Sequence, residues 1–316
     1  MRTPATQPQE IASLTPARTR QLLERVAAIY HQAYGESEVA RAGLSRYGIT
    51  DAALLDRHLV GYCDGRLRQI LPAQGAVWRE LEALGVLVRD GQIPGKVPGE
   101  SVERFAGRVV FPVLDADGAV QNLYALADQP EMQGTLCLPG LPQLPWNIQA
   151  ARLHADLLAV SAIIDGLALE ICGTRNVIAV PCGLDSAAMK EVTEHGVRRV
   201  VAIDGGDGTL TRIVQELAGT QRSTRCSWRA ITLPDRMSPV KYLGQHGAER
   251  LATTVAGALS AAAEELPKPT PRSKPERSRT CEGKPAQGGD NCHDGEAGLT
   301  LRFGPRLYRI VGGSQN

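Results

Sequence analysis

The chain has 316 residues, of which 43% are apolar and 22% charged, the composition of an ordinary globular protein. At roughly 150 residues per domain, this length allows about two domains. The chain is long enough to bury a hydrophobic core. Lys and Arg number 35 against 34 for Asp and Glu, so the net charge is +1. This balance excludes a positive field over the whole surface, although it leaves room for a local basic groove.

The beginning of the chain is polar, and no run of 18 apolar residues occurs in it. We therefore expect neither a signal peptide nor a membrane partner, and the default location is the cytoplasm. The seven cysteines form no Cys-x-x-Cys pair. No zinc site is expected as a result.

The first hundred residues are predicted to be mainly helical. Residues 1–16 are rich in Thr, Pro and Gln and are predicted to be disordered. From residue 17 to 34, apolar side chains recur at helical spacing. Ser37 and Asp51 then offer capping oxygens for two further helices.

A β-hairpin is predicted for 107–126, where two β-rich runs flank Asp-Ala-Asp-Gly. Beyond residue 157, short apolar runs alternate with helical segments of about ten residues. This alternation predicts a parallel sheet covered by helices. We assign the protein to the α/β class, with a helical and hairpin α+β subdomain over 17–150 and a parallel-sheet domain over 151–250.

Three segments follow the predicted sheet domain. Residues 251–266 predict a last helix. Residues 267–298 are rich in Pro, Ser, Gly and basic residues and predict a disordered basic linker. Residues 299–316 alternate apolar and basic side chains around Gly-Pro and predict a small β-hairpin.

Polar residues follow two strands of the predicted sheet, where ligands of open parallel sheets bind. Ser161 ends one strand, and Asp165 lies one turn into the helix after it. Asp204 ends another strand and leads into a Gly-Gly-Asp-Gly turn that contains Asp207. Two carboxylates on such a turn could hold a divalent cation. Alternatively, Asp and Gly only form a good strand-to-helix turn, with Asp207 capping the next helix.

Residues 157–243 resemble a TOPRIM domain, the metal-dependent fold of bacterial primases, type IA and II topoisomerases and some nucleases. SAIIDGL at 161–167 stands for the family's Glu-Gly-x-x-Asp-x-Leu, and DGGD at 204–207 for its Asp-x-Asp. ERFAGRVVFPVLDADGAV at 103–120 is similar to the primase pattern D-R-F-R-x-R-I-x-F-P-I-x-D-x-x-G-x-V. LPDRMSPVKYL at 233–243 is similar to L-P-x-G-x-D-P-D-x-Y-L. The order of these motifs resembles primases more than TOPRIM nucleases. The segments LPGLPQLPWN at 138–147 and VIAVPCG at 177–183 resemble primase-like proteins of the mobile-element type.

The resemblance implies synthesis of RNA primers from ribonucleotides on single-stranded DNA, with Mg²⁺ or Mn²⁺ as cofactor. It also implies that a replicative helicase could be a partner. Asp204 and Asp207 would hold the metal, and Asp165 would support the site. Arg104 and Arg108 would bind nucleic-acid or nucleotide phosphates, for which the guanidinium fork is suited. The alternative for both arginines is that they only flank a strand in solvent.

The sequence departs from the family at three acids. The family's general acid/base Glu falls on Ser161, which cannot transfer protons as a carboxylate does. The second Asp of Asp-x-Asp falls on Gly206, and the later Asp-Pro acid falls on Ser238. We therefore expect weak or no synthesis, and the alternative function is a non-catalytic nucleic-acid-binding accessory protein or relic. The double variant Ser161→Glu, Gly206→Asp is expected to tighten Mg²⁺ binding.

Overall fold

The computed structural model describes residues 14–71, 75–89, 101–126, 136–181, 183, 186–220, 226–264, 300–303 and 306–309. The chain divides into two compact units, Met1–Leu266 and Pro267–Asn316. The first unit holds every element that positions the candidate site.

Three helices open the first unit: α1 (Pro16–Glu36), α2 (Glu38–Ser45) and α3 (Ala52–Arg57). The side-chain oxygens of Thr15, Ser37 and Asp51 each accept a hydrogen bond from an N–H group in the first turn of the helix that follows. Such caps satisfy donors that helix geometry leaves free. The predicted caps Ser37 and Asp51 are confirmed. The predicted disordered segment 1–16 is too long, because Thr15 already caps α1.

An antiparallel sheet and two short helices come next. Their elements are β1 (Gly61–Cys63), α4 (Leu67–Ile70), α5 (Ala76–Ala83), β2 (Leu87–Arg89), β3 (Ser101–Glu103), β4 (Arg108–Leu114), β5 (Val120–Ala125) and β6 (Leu136–Cys137). The sheet order is β1-β4-β5-β6, and β2 pairs separately with β3. β4 and β5 are antiparallel, and the turn between them uses Gly118 at φ +89°. The predicted hairpin is confirmed.

A parallel sheet with helices forms the rest of the first unit. Its elements are α6 (Ala150–Leu153), β7 (Asp156–Val160), α7 (Ile163–Ile171), β8 (Val177–Ala179), α8 (Ser186–Glu194), β9 (Arg199–Asp204), α9 (Thr209–Thr220), β10 (Ser227–Thr232), a 3₁₀ turn (Pro234–Arg236), α10 (Pro239–His246) and α11 (Ala248–Glu264). The strand order is β10-β9-β7-β8, and all three pairings are parallel. The predicted α/β class is confirmed.

One hydrophobic core joins the antiparallel and parallel sheets. It contains Phe111 of β4 and the fully buried Trp146 together with residues of β7, α7, β9 and α10. Gly166 allows α7 to pack directly on the indole, since a β-carbon there would lie 2.9 Å from Cζ3 of Trp146. Residues of both predicted subdomains, 17–150 and 151–250, therefore share one core.

The second unit contains β11 (Thr300–Phe303) and β12 (Arg306–Arg309), which pair antiparallel. This is the small C-terminal β element that the sequence predicts. The predicted linker 267–298 lies outside the described residues. Over the ranges given above, no helix combines the length and the apolar character needed to cross a lipid bilayer.

Candidate functional site

The register of the parallel sheet brings Ser161 and Asp204 to one edge. Ala159 of β7 pairs with Ala202 of β9, and the two site residues each follow two positions later. Asp204 also pairs with Thr232 at the end of β10. The carboxyl ends of three neighbouring strands therefore meet at this place, which we call the carboxyl edge. Ser161 and Asp204 therefore end neighbouring strands at the same edge of the sheet. Their chemical roles remain predictions.

The carboxylate of Asp204 is buried and fully hydrogen-bonded by the turn that follows it. One oxygen, Oδ1, accepts hydrogen bonds from the N–H groups of Gly206 at 2.8 Å and Gly208 at 3.0 Å. The other, Oδ2, accepts one from Thr211 N–H at 2.9 Å, and the Thr211 hydroxyl adds a fourth hydrogen bond. Burial alone would raise the pKa of Asp204, but these hydrogen bonds outweigh it and lower the pKa. Asp204 is therefore an anionic anchor for the start of α9.

Asp165 is also buried, with 4% of its surface exposed, and it reaches across to the start of α10. Its Oδ1 accepts a hydrogen bond of 2.9 Å from Val240 N–H, and the Ser238 hydroxyl forms another. Burial raises the pKa of Asp165 to about 6, although these hydrogen bonds and Lys241 oppose the shift. Ser238 directly precedes α10, but its hydroxyl makes no capping bond within that helix. The capping oxygen comes instead from Asp165.

Asp207 differs from the two buried acids because its side chain is exposed. Its Oδ1 accepts a hydrogen bond of 3.0 Å from Thr209 N–H at the start of α9. Its charge adds to the rise in the pKa of Asp165, which places the two carboxylates within electrostatic reach. The turn-forming alternative, in which Asp207 binds the first turn of the next helix, agrees with this contact.

Gly206 cannot take the side chain that the family pattern has at this position. Its φ is +94°, a left-handed conformation that favours glycine. A β-carbon on Gly206 would overlap the carbonyl oxygen of Arg236. Tighter Mg²⁺ binding by the variant with Gly206→Asp stays a prediction, and this geometry argues against it because the added side chain would displace the segment above it.

The two predicted phosphate-binding arginines are both half-buried in the antiparallel part of the unit. Arg104 Nε donates a hydrogen bond of 2.7 Å to the carbonyl of Gly85, and burial lowers the pKa of its guanidinium despite the opposing effect of Cys137. Arg108 keeps a buried nitrogen, Nη1, without a hydrogen-bond partner. Among the described residues, no hydrogen bond or ion pair links either arginine to the carboxyl edge. Because both side chains are half-buried, the alternative in which the two arginines only flank a strand in solvent does not hold.

The buried side chain of Glu103 fixes the strand end just before Arg104. Its carboxylate accepts hydrogen bonds from Tyr30 Oη at 2.8 Å, from Leu67 N–H at 3.0 Å and from Cys63 Sγ at 3.2 Å. Burial and this carboxylate together raise the pKa values of Tyr30 and Cys63. The network ties α1, β1 and α4 to β3, and it holds the backbone from which Arg104 extends.

Sequence reasoning also missed the buried acid Glu170 in the last turn of α7. Arg57 Nη2 lies 2.5 Å from Oε2, and His58 Nε2 lies 2.8 Å from Oε1 without good hydrogen-bond geometry. Asn147 Nδ2 adds a longer contact of 3.4 Å to Oε1. The His58 ring packs on Trp146, with ring centroids 4.5 Å apart. The signal in the sequence was a glutamate in a helical run whose other charged residue is Asp165, because a charged side chain in such an apolar run indicates a buried partner.

Comparisons with known proteins identify the fold but no family. No family model matches the chain, and no curated protein matches it.

Solved structures of primases are similar to the chain over most of its length. A DnaG primase catalytic domain bound to single-stranded DNA aligns with a TM-score of 0.62 and 20% identity, over 80% of this chain and 83% of that one. The RNA polymerase domain of Mycobacterium tuberculosis primase aligns with a TM-score of 0.61 and 19% identity, over 80% and 89%. The E. coli primase catalytic core gives 0.62 and 19%, over 80% and 86%. The chain therefore has the fold of a primase catalytic core.

Proposed function

We propose that this protein binds single-stranded DNA on a primase fold and that metal-dependent primer synthesis is strongly weakened or lost. The fold supports the first half, because a similar structure is of a primase catalytic domain bound to single-stranded DNA. One observation supports the second half: of the two acids that match the family pattern, Asp204 has both carboxylate oxygens hydrogen-bonded by the protein itself, and Asp165 has its Oδ1 hydrogen-bonded by Val240 N–H.

The residues of the carboxyl edge do not fit the divalent ion that a primase fold implies. A carboxylate has about four lone-pair positions, and Asp204 uses four for Gly206, Gly208 and the N–H and hydroxyl of Thr211. Mg²⁺ needs near-octahedral oxygen ligands. Asp207 exposes its side chain, but no cluster of three or more metal-binding side chains occurs in the part of the chain that the structure describes.

The loss of the family glutamate removes proton transfer as well as charge. Ser161 is a neutral hydroxyl, so it can donate or accept a hydrogen bond but has no carboxylate pKa for acid–base work. We propose that nucleic acid at this edge would meet a serine, exposed Asp207 and backbone groups in place of an acidic cluster. Such an edge repels phosphate less strongly than one with acids at positions 161, 206 and 238 would, because it carries fewer negative charges.

Arg108 is the residue we propose as a phosphate ligand of the bound strand. Its Nη1 is a buried donor without a partner within the described ranges, and a buried donor left unpaired is unfavourable. A phosphate oxygen would satisfy it with a charge-assisted hydrogen bond. Arg104 already donates Nε to Gly85, so it would contribute mainly its charge.

Fluorescence anisotropy of labelled single-stranded DNA, with a primer-synthesis assay on the same preparation, tests the proposal. We expect salt-sensitive binding and no product with ribonucleotides and Mg²⁺ or Mn²⁺. Arg108→Ala should weaken binding about tenfold and lower the salt slope by about one. Arg198→Ala is the matched control, since that exposed arginine lies at the opposite, amino end of β9.

Two outcomes would contradict this function. Absence of DNA binding by the folded protein would remove its first half. Primer synthesis that disappears in Asp204→Ala would remove its second half, and synthesis that depends on Asp207 alone would assign a weak enzyme instead.

A further inference from the structure

We propose that the segment 233–240, here named the closing loop, holds the carboxyl edge closed by direct protein contacts, in the structural place that a bound divalent ion would take. This inference goes beyond the proposed function, because it concerns how the edge is held together and does not depend on DNA binding. It follows from three contacts of the loop with separate elements of the sheet domain.

The first contact anchors the loop at the end of β10. Thr232 pairs with Asp204, and the next side chain, Leu233, is buried with 2% of its surface exposed. The loop therefore starts beside the acid that a metal would bind. From there it can only pass over the turn that follows β9 in order to reach α10.

The second contact is the passage of the loop over that turn. The carbonyl of Arg236 lies directly above Gly206, and the side chain of Ser238 lies above Gly205, where an added β-carbon would be 3.2 Å from Ser238 Cβ. Asp235 and Arg236 have φ values of 55° and 53°. Residues other than glycine persist in this left-handed region only where their surroundings impose it. The loop is thus pressed into the space where a second metal carboxylate would project.

The third contact joins the loop to α7. The buried carboxylate of Asp165 accepts hydrogen bonds from Val240 N–H and from the Ser238 hydroxyl. A carboxylate at a helix N-terminus is favoured by the helix dipole, and α10 receives no cap from its own preceding residue. Asp165 is therefore the anchor that ties the first turn of α7 to the first turn of α10.

Together the three contacts connect β10, the turn after β9, α7 and α10. A divalent ion at a sheet edge connects separate elements by binding an oxygen from each. Here, backbone N–H groups, a hydroxyl and van der Waals contact make the same connections. The closing loop should therefore stay closed whether or not divalent ions are present.

Limited trypsin digestion after the exposed Arg236 measures how often the closing loop opens. Gly206→Ala and Gly208→Ala form a matched pair, because both glycines are left-handed, at φ +94° and +74°. Only the methyl at position 206 meets the loop, since a β-carbon at 208 has nothing within 4 Å. We expect Gly206→Ala to accelerate cleavage after Arg236 about tenfold and Gly208→Ala to change it less than about twofold. Mn²⁺ or EDTA should change neither rate.

A second readout keeps the proposal testable if Gly206→Ala does not fold. Hydrogen exchange at Val240 N–H should stay slow in Asp165→Asn, which keeps an acceptor oxygen, and become fast in Asp165→Ala. Equal cleavage in the two glycine variants would overturn the proposal. So would protection of Arg236 by Mn²⁺ in the wild type, or equal exchange at Val240 in the two Asp165 variants.

Discussion

The buried carboxylates at the carboxyl edge and the buried carboxylate in the last turn of α7 have different partners. Glu170 contacts two basic side chains, Arg57 and His58, the former 113 residues away in sequence. Asp165 and Asp204 at the carboxyl edge accept hydrogen bonds from N–H and hydroxyl groups, which carry no net charge. The comparison shows that both kinds of partner join distant parts of the chain: Glu170 uses the charged Arg57, and Asp165 uses the neutral N–H of Val240, 75 residues away. Asp204, in contrast, fixes a local turn.

This difference predicts unequal tolerance of a lost charge. When an acid that pairs with basic side chains is replaced by a neutral residue, the basic side chains lose their counter-charge. An acid held by dipoles leaves only neutral donors, which an amide oxygen can still satisfy. Neutralising Glu170 should therefore change the free energy of unfolding several times more than neutralising Asp165 or Asp204.

The largest effect is expected at Glu170. Glu170→Gln should lower the free energy of unfolding by about 3 kcal/mol, since it breaks a buried ion pair. This is the low end for buried pairs because the side chain of Arg57 is 43% exposed and can reach water. Urea denaturation followed by circular dichroism measures the loss.

The pair Arg152–Asp117 provides the control for Glu170. It has the same N···O distance of 2.5 Å, but its side chains are 46% and 79% exposed. Asp117→Asn should therefore cost less than about 1 kcal/mol. Equal losses in the two variants would show that burial does not set the difference between the two kinds of pair.

A smaller effect of opposite sign is expected at Asp165. Its folded pKa, about 6, lies above the ordinary value, so the folded state binds the proton more tightly than the unfolded state. The ionised form therefore destabilises the fold at neutral pH, and this penalty disappears as the pH falls through about 6 towards 4. Asp165→Asn should be more stable than wild type at neutral pH, by on the order of 1 kcal/mol, and lose this advantage at low pH.

Asp204→Asn sharpens the prediction for Asp165, because hydrogen bonds lower the pKa of Asp204. Its ionised form contributes stability that is present above the unfolded pKa and lost as the pH falls below it. Asp204→Asn should therefore be less stable than wild type at neutral pH and approach it in acid. Thermal melting over a pH series checks both variants, and differences of the same sign would refute this assignment of the two acids.

Local signals in the sequence were sufficient for much of the fold. The caps Ser37 and Asp51, the hairpin turn at Gly118 and the alternation of short strands with helices each depend on a few adjacent residues. The meeting of Ser161 with Asp204 also follows from topology, because parallel strands end at the same edge.

The state of the site could not be predicted in the same way. The carbonyl of Arg236 lies so close to Gly206 that no β-carbon fits there, and Glu170 pairs with Arg57. Both contacts join segments that are far apart in sequence. No local pattern indicates that Asp165 caps α10, and the Asp-Gly-Gly-Asp-Gly sequence leaves the turn-forming role of Asp204 as an alternative to metal binding without deciding between them. An aspartate at the end of a strand looks the same in sequence whether its lone pairs face an ion or a turn.

Titration of the folded wild-type protein with Mn²⁺, followed by electron paramagnetic resonance, tests most directly whether the carboxyl edge takes a divalent ion. Because both oxygens of Asp204 and Oδ1 of Asp165 already accept hydrogen bonds from the protein, we expect the signal of free Mn²⁺ to rise in proportion to the amount added, with no saturable loss. Saturable binding that disappears in Asp204→Asn would contradict the account and restore a metal site at this edge.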